Sequence, residues 1–156
     1  MALTETLIGK WIITACVAMV PLIELRGAIP IGVSAGLAPW AAYVAAVAGN
    51  LIPVPVIMLL VRRVFDWLRR GRWWGPKIVA LEARAHLKGR LVRKYRLAGL
   101  VLLVAVPLPG TGAWMGALVA SLLNIRMRAA LPAILLGLLL AGGAILAMTC
   151  GVRTLL

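Results

Sequence analysis

The chain has 156 residues, 63% of them hydrophobic, a mean hydropathy of +1.04 and a formal charge of +13. This length holds one unit rather than a string of domains, and an apolar fraction well above the soluble norm of about half makes it a polytopic membrane protein. The charge does not argue for nucleic acid: twelve of the 17 Lys and Arg fall between Arg62 and Arg96, with no base-stacking module beside them, which is the pattern of a cytoplasmic loop facing anionic lipid.

Residues 7–20 are apolar but number only 14 before Pro21, against the roughly 20 that a straight span needs. Residues 20–36 follow, reading VPLIELRGAIPIGVSAG. They set Glu24 and Arg26 in an apolar stretch whose Pro21, Pro30, Gly27, Gly32 and Gly36 oppose a regular helix interior. Broken backbone is tolerated at membrane depth only when protein covers it or it lines a wet cavity. Residues 7–37 are therefore expected to form a re-entrant hairpin turning near residues 24–27. Residues 38–61 make the first transmembrane helix, with Pro39 in its first turn, Trp40 as interfacial anchor, and Asn50 one turn before the kinking Pro53 and Pro55. An amide there is either satisfied by a neighbouring helix or lines the site.

Residues 62–96 form the basic cytoplasmic and interfacial segment. Trp67, Trp73 and Trp74 interleave with arginines there, and a surface-lying amphipathic helix is expected over residues 76–96. The single histidine, His86, reads as a solvated neighbour of Glu82. Residues 97–123 repeat the hairpin pattern around VPLPGTGAWMG, and residues 129–150 form the second transmembrane helix. Cys16 and Cys150 each lie in apolar runs and imply neither a disulfide framework nor a metal. The N-terminus lacks the grammar of a cleaved signal, so its first segment is expected to stay.

The two halves echo each other. Val20-Pro21-Leu22 recurs as Val106-Pro107-Leu108, and Arg26-Gly27-Ala28 as Thr111-Gly112-Ala113, about 85 residues apart. If neither hairpin crosses, both termini lie outside and nearly every exposed cation lies inside, as the positive-inside rule requires. The halves are then inverted relative to each other, as in transporters whose site lies at the repeat interface. A rival topology makes residues 27–49 a span and leaves residues 51–61 too short. The expected fold is thus an all-α polytopic membrane protein of two inverted-repeat halves. Two spans enclose little volume, so a homo-oligomer is expected.

Glu24 is the one carboxylate in an apolar segment, and ionisable groups at membrane depth are candidates for function. It is assigned proton coupling. Arg26 offers a planar fork for phosphate or carboxylate. Thr111 and the N–H groups around Gly112, at the start of a half-helix, add neutral donors for an anion. Gly27, Asn50 and Trp114 complete the candidate substrate site, Trp114 by stacking or by plain core packing. The bland alternative is a Glu24–Arg26 pair that only locks the hairpin, with Glu24 free to reach the other half. There is no nucleophile–base set, no metal-ligand spacing and no P-loop, so neither an enzyme nor a cofactor is expected.

PLIELRGAIPIG at residues 21–32 and PLPGTGAWMGAL at residues 107–118 resemble the prokaryotic small multidrug export family, a distant relation of the DedA (SNARE-associated, VTT) membrane proteins. The resemblance covers nearly the whole chain. It implies two facing re-entrant loops and movement of lipid, often proton-coupled, with polyprenyl-phosphate or phospholipid as substrate. It places Glu24 at the family's acidic position and Arg26 at its basic one, while the second hairpin departs by carrying Thr111 where a second arginine would stand. The expected function is a proton-coupled transporter or flippase of the cell membrane, acting on an anionic lipid or another amphipathic anion, with membrane lipids and protons as partners. The alternatives are a drug exporter and a membrane scaffold.

Overall fold

The structure, a computed structural model, describes residues 6–70, 89–106 and 111–155. These form α1 (Leu7–Met19), α2 (Glu24–Ser34), α3 (Pro39–Leu51), α4 (Pro53–Arg70), α5 (Gly89–Ala105), α6 (Ala113–Leu122) and α7 (Met127–Leu155). Only Ile52 separates α3 from α4, and its own backbone is helical (φ −56°, ψ −48°). The break is a kink, caused where Pro53 and Pro55 withhold their N–H groups from the preceding turn. Residues Pro39–Val64 and Met127–Gly151 are long and apolar enough to cross a membrane. At about 1.5 Å per residue, α1 and α2 reach only about 20 and 16 Å, less than the hydrocarbon thickness.

Thr6 caps α1 by accepting from the Gly9 N–H at 3.2 Å. Residues 20–23 then turn the chain, somewhat earlier than the expected 24–27. Against the sequence expectation, α2 runs unbroken through Gly27, Pro30 and Gly32. Pro30 costs it one backbone bond, and packing against α1, α3 and α7 holds it. The expected surface helix over residues 76–96 lies mostly outside the described residues. Its last part belongs to α5, which continues through Arg96 and Leu97 without a break.

Small residues fill the interior and large ones face outward. Among the described residues, twelve of the 26 buried hydrophobics are alanine, including Ala28, Ala46, Ala117 and Ala130, whereas Ile12, Val56, Leu60, Leu102, Leu140 and Met148 are exposed. A water-soluble core would reverse that order. In lipid the exposed chains already have an apolar solvent, and small residues let helices approach closely. At Gly49 a Cβ would strike the backbone of Ala15, so α1 and α3 meet there without side chains between them.

Both short return helices, α2 and α6, end in the same Schellman motif. Gly36 (φ 91°) and Asn124 (φ 51°) take the left-handed position. Leu37 N–H bonds Gly32 O at 3.0 Å, and Ile125 N–H bonds Ala120 O at 2.9 Å, which satisfies helix-end carbonyls in each case. Both helices also begin at a residue of positive φ, Glu24 (46°) and Gly112 (138°). Each matched pair is 88 residues apart. Burial repeats in that register too, as in Leu25 and Ala113, Ala28 and Gly116, Ile29 and Ala117, Leu37 and Ile125. The fold therefore corrects the 85-residue echo: the structural counterpart of Arg26 is Trp114, not Thr111.

Cations meet the ends of the return helices. Lys10 Nζ lies beside Gly36, Arg96 donates to Leu123 O at 3.3 Å, and Arg62 donates to Ile125 O. Positive charge is favoured where helix carbonyls run out. The return helix of each half packs on the span of the other half, α2 on α7 and α6 on α4. The two helix starts are thereby brought face to face in the interior.

Candidate functional site

Glu24 and Gly112 meet where α2 and α6 begin. The Glu24 carboxyl accepts a hydrogen bond from the Trp114 backbone N–H, in the first turn of α6. A Cβ on Gly112 would collide with that carboxyl, and its backbone (φ 138°, ψ −163°) lies in territory open essentially to glycine alone. Glycine is thus required twice over, for conformation and for room. The orphan donors and positive dipole end of α6 are what favours a negative group there. Here that group is the protein's own Glu24 carboxyl.

Arg26, two residues on, reaches the other way. Its Nη2 donates to Thr111 Oγ1 at 3.2 Å, and the Thr111 hydroxyl in turn donates to Val106 O at 2.7 Å. The charge of Arg26 also acts on the Glu24 carboxyl. Although residues two apart do not share a face within a helix, the left-handed start at Glu24 and the facing hairpin let both side chains serve one locus. Trp114 closes the arrangement by donating from Nε1 to Met19 O at 3.2 Å. This fixes its indole as a brace between hairpins, the packing alternative to stacking on a ligand.

A cavity of about 10 Å³ lies here, lined by Glu24, Arg26, Thr111 and Gly112 on the polar side and Leu138, Ala141 and Ile145 among its apolar lining. That is room for about one water. The space is too small for a head group, which enters only if the helix starts separate or Glu24 withdraws.

Four of the seven expected site residues, Glu24, Arg26, Thr111 and Gly112, line this cavity, and Trp114 bonds its wall. Gly27 is half-buried one step along α2, where a Cβ would meet Ile23, and contributes space rather than a contact. Asn50 is completely buried yet does not line the cavity, and neither its Oδ1 nor its Nδ2 has a hydrogen-bond partner among the described residues. Sequence reasoning missed the apolar wall from α7, because Leu138, Ala141 and Ile145 look like any other span residues. It allowed Glu24 to reach the other half but did not find the place it reaches, the start of α6, about 90 residues on. No group of three potential metal ligands occurs among the described residues.

The profile of the family described as "Putative small multi-drug export protein" matches residues 24–145. The chain belongs to this family. The match begins at Glu24 and takes in the whole cavity. With the two long apolar helices, membership makes this a membrane protein of the export type. No curated protein and no solved structure matches the chain.

Proposed function

We propose that this family member moves an amphipathic anion, of the phosphate-bearing lipid class, through the membrane with Glu24 as the proton carrier. The observation that carries the reading is the Glu24 carboxylate seated at the N-terminus of α6 beside Arg26. An anion site already exists at membrane depth, and an internal anion holds it. Protonation of Glu24 removes its charge, weakens its hold on the Trp114 N–H and frees the α6 donors. A phosphate then takes the vacated place, held by those N–H groups and by the Arg26 fork. Release of the phosphate lets Glu24 ionise and return. Proton and anion are bound together in this cycle, so they travel in the same direction.

The hairpins are re-entrant in this reading, the two halves are related as inverted repeats, and the spans cross the cell membrane with residues 62–96 inside. The shortness of α1 and α2 and the 88-residue register support that arrangement. The resemblance to DedA-like proteins supports a lipid as cargo. A homo-oligomer would supply the bulk that two spans lack.

The family description favours a second reading, export of a cationic drug with Glu24 as its counter-ion. The seating of Glu24 against an N–H and an arginine weighs against it, since both would compete with a cation. The discriminating experiment is mass spectrometry of lipids retained by gently purified protein, wild type against Arg26→Ala. Enrichment of a phosphate-bearing lipid in wild type and its loss in the variant are expected. Bulk-membrane lipid in both would sink the anion reading, and efflux of a cationic dye unchanged or improved in Arg26→Ala would favour the second.

A further inference from the structure

Asn50 is the unexplained group of this fold. Its residue is fully buried, and both polar atoms of its amide lack a partner among the described residues. Buried side-chain amides are nearly always hydrogen-bonded, and an orphan calls for a reason. None of the contacts described so far employs it.

Two independent lines place it. The first is register. In the 88-residue correspondence Asn50, Pro53 and Ile57 stand where Leu138, Ala141 and Ile145 stand, the three α7 residues that wall the cavity beside the start of α2. The start of α2 corresponds to the start of α6, so Asn50 faces the Gly112–Trp114 end as Leu138 faces Glu24. The second is depth. Arg62 holds Ile125 O, at the far end of α6, and α4 packs along α6. Asn50 is twelve residues earlier, about 18 Å back along the span, and the ten residues of α6 extend about 15 Å. Both lines put the amide level with the first turn of α6.

We infer that Asn50 is a second polar subsite for the substrate's phosphate, on the flank of the α6 N-terminus away from Arg26. This rests on the anion reading above. With Glu24 filling the α6 end, the amide is kept from that end and has nothing to bond among the described residues. When Glu24 withdraws, the Asn50 NH₂ adds a neutral donor to a phosphate that the α6 N–H groups and Arg26 already hold. The kink at Pro53 and Pro55 lies directly beyond Asn50, so bending there alters how far the amide reaches. The repeat has Leu138 in the corresponding place on the other flank, which makes the pocket polar on one side and greasy on the other, a fit for a phosphate carrying an acyl or prenyl chain.

The test measures two quantities on the full-length protein in lipid nanodiscs, binding of dodecyl phosphate and thermal unfolding, for wild type, Asn50→Leu, Asn50→Ala and Arg26→Ala. Asn50→Leu keeps the branched shape, adds some bulk and removes an unpartnered amide, so its ligand-free Tm is expected to rise by a few degrees. Affinity for dodecyl phosphate is expected to fall roughly tenfold or more, with dodecanol binding unchanged. Asn50→Ala, which adds no bulk, should show the same loss of affinity even if Leu overpacks. Full affinity in both Asn50 variants with a loss in Arg26→Ala would overturn the subsite and leave the anion reading standing. Full affinity in all three would overturn both. An equal loss of dodecanol binding in both Asn50 variants would trace the effect to packing rather than to the phosphate, and would also overturn the inference.

Discussion

Arg26 and Trp114 occupy the same place in the two halves, and each donates a hydrogen bond across to the opposite hairpin. Arg26 Nη2 reaches Thr111 Oγ1 and Trp114 Nε1 reaches Met19 O, both at 3.2 Å. A residue in the first turn of each return helix thus braces the turn region of the other. One brace is charged and the other neutral, so the two helix starts are alike in backbone and unlike in electrostatics. That asymmetry concentrates positive charge on one flank of the cavity and leaves Glu24 as its counter-charge.

The Arg26–Thr111 brace is measurable as a coupling energy. A double-mutant cycle on unfolding with Arg26→Ala and Thr111→Val should give a coupling of about 1.5–3 kcal/mol, the range of a hydrogen bond from a charged donor. A coupling indistinguishable from zero would mean that the two groups are neighbours without mutual stabilisation. Trp114→Phe keeps the ring and removes the Nε1 donor, and should cost about 1 kcal/mol by leaving Met19 O short of a partner.

Gly112→Ala should be among the most damaging small substitutions in the chain. The new Cβ must enter the space of the Glu24 carboxyl at a backbone angle that L residues rarely adopt. Strain of this kind costs about 1–3 kcal/mol, and transport should be lost with it because Glu24 is displaced. Gly143→Ala is the control: nothing lies within 4 Å of its would-be Cβ, and alanine in a helix gains up to about 1 kcal/mol over glycine. A Gly112→Ala protein as stable and active as Gly143→Ala would remove Gly112 from the site.

Much of this was legible in the residues themselves. Two spans and two shorter hairpin segments follow from counting apolar residues between prolines, because the membrane sets a length that a sequence either reaches or does not. Glu24 and Arg26 stand out because charge is rare in such surroundings. The pairing of Glu24 with the start of α6 was not legible, since it joins segments far apart in sequence. Nor was the register. The eye matched Gly27 with Gly112 by residue type, whereas the fold matches Glu24 with Gly112 by backbone angle. A glutamate and a glycine look unrelated until both are seen at positive φ. The continuity of α2 through Pro30 was equally hidden, because tertiary packing overrides the cost of one missing backbone bond.

The inverted arrangement makes a prediction about sidedness. Ala35 and Arg126 are both exposed, at the C-terminal end of α2 and just beyond that of α6. In a background with Cys16→Ser and Cys150→Ser, Ala35→Cys should react with a membrane-impermeant maleimide from outside intact cells. Arg126→Cys should react only after the membrane is opened. Labelling of both from one side would refute inversion and return the rival topology to consideration.

Glu24→Gln separates a proton carrier from a structural cap. Glutamine keeps the length of the side chain and an oxygen able to accept the Trp114 N–H, so the hairpins should remain braced and Tm should change little. It cannot ionise, and it holds the start of α6 more weakly than a carboxylate does. A phosphate-bearing probe should therefore bind the variant at least as well as wild type. Exchange of labelled for unlabelled probe across proteoliposomes should persist, while movement driven by a pH gradient should fall at least tenfold, to the level of empty vesicles. Gradient-driven movement at the wild-type rate would assign the proton to another group. Loss of Tm together with loss of binding would reduce Glu24 to a cap that holds the hairpins together.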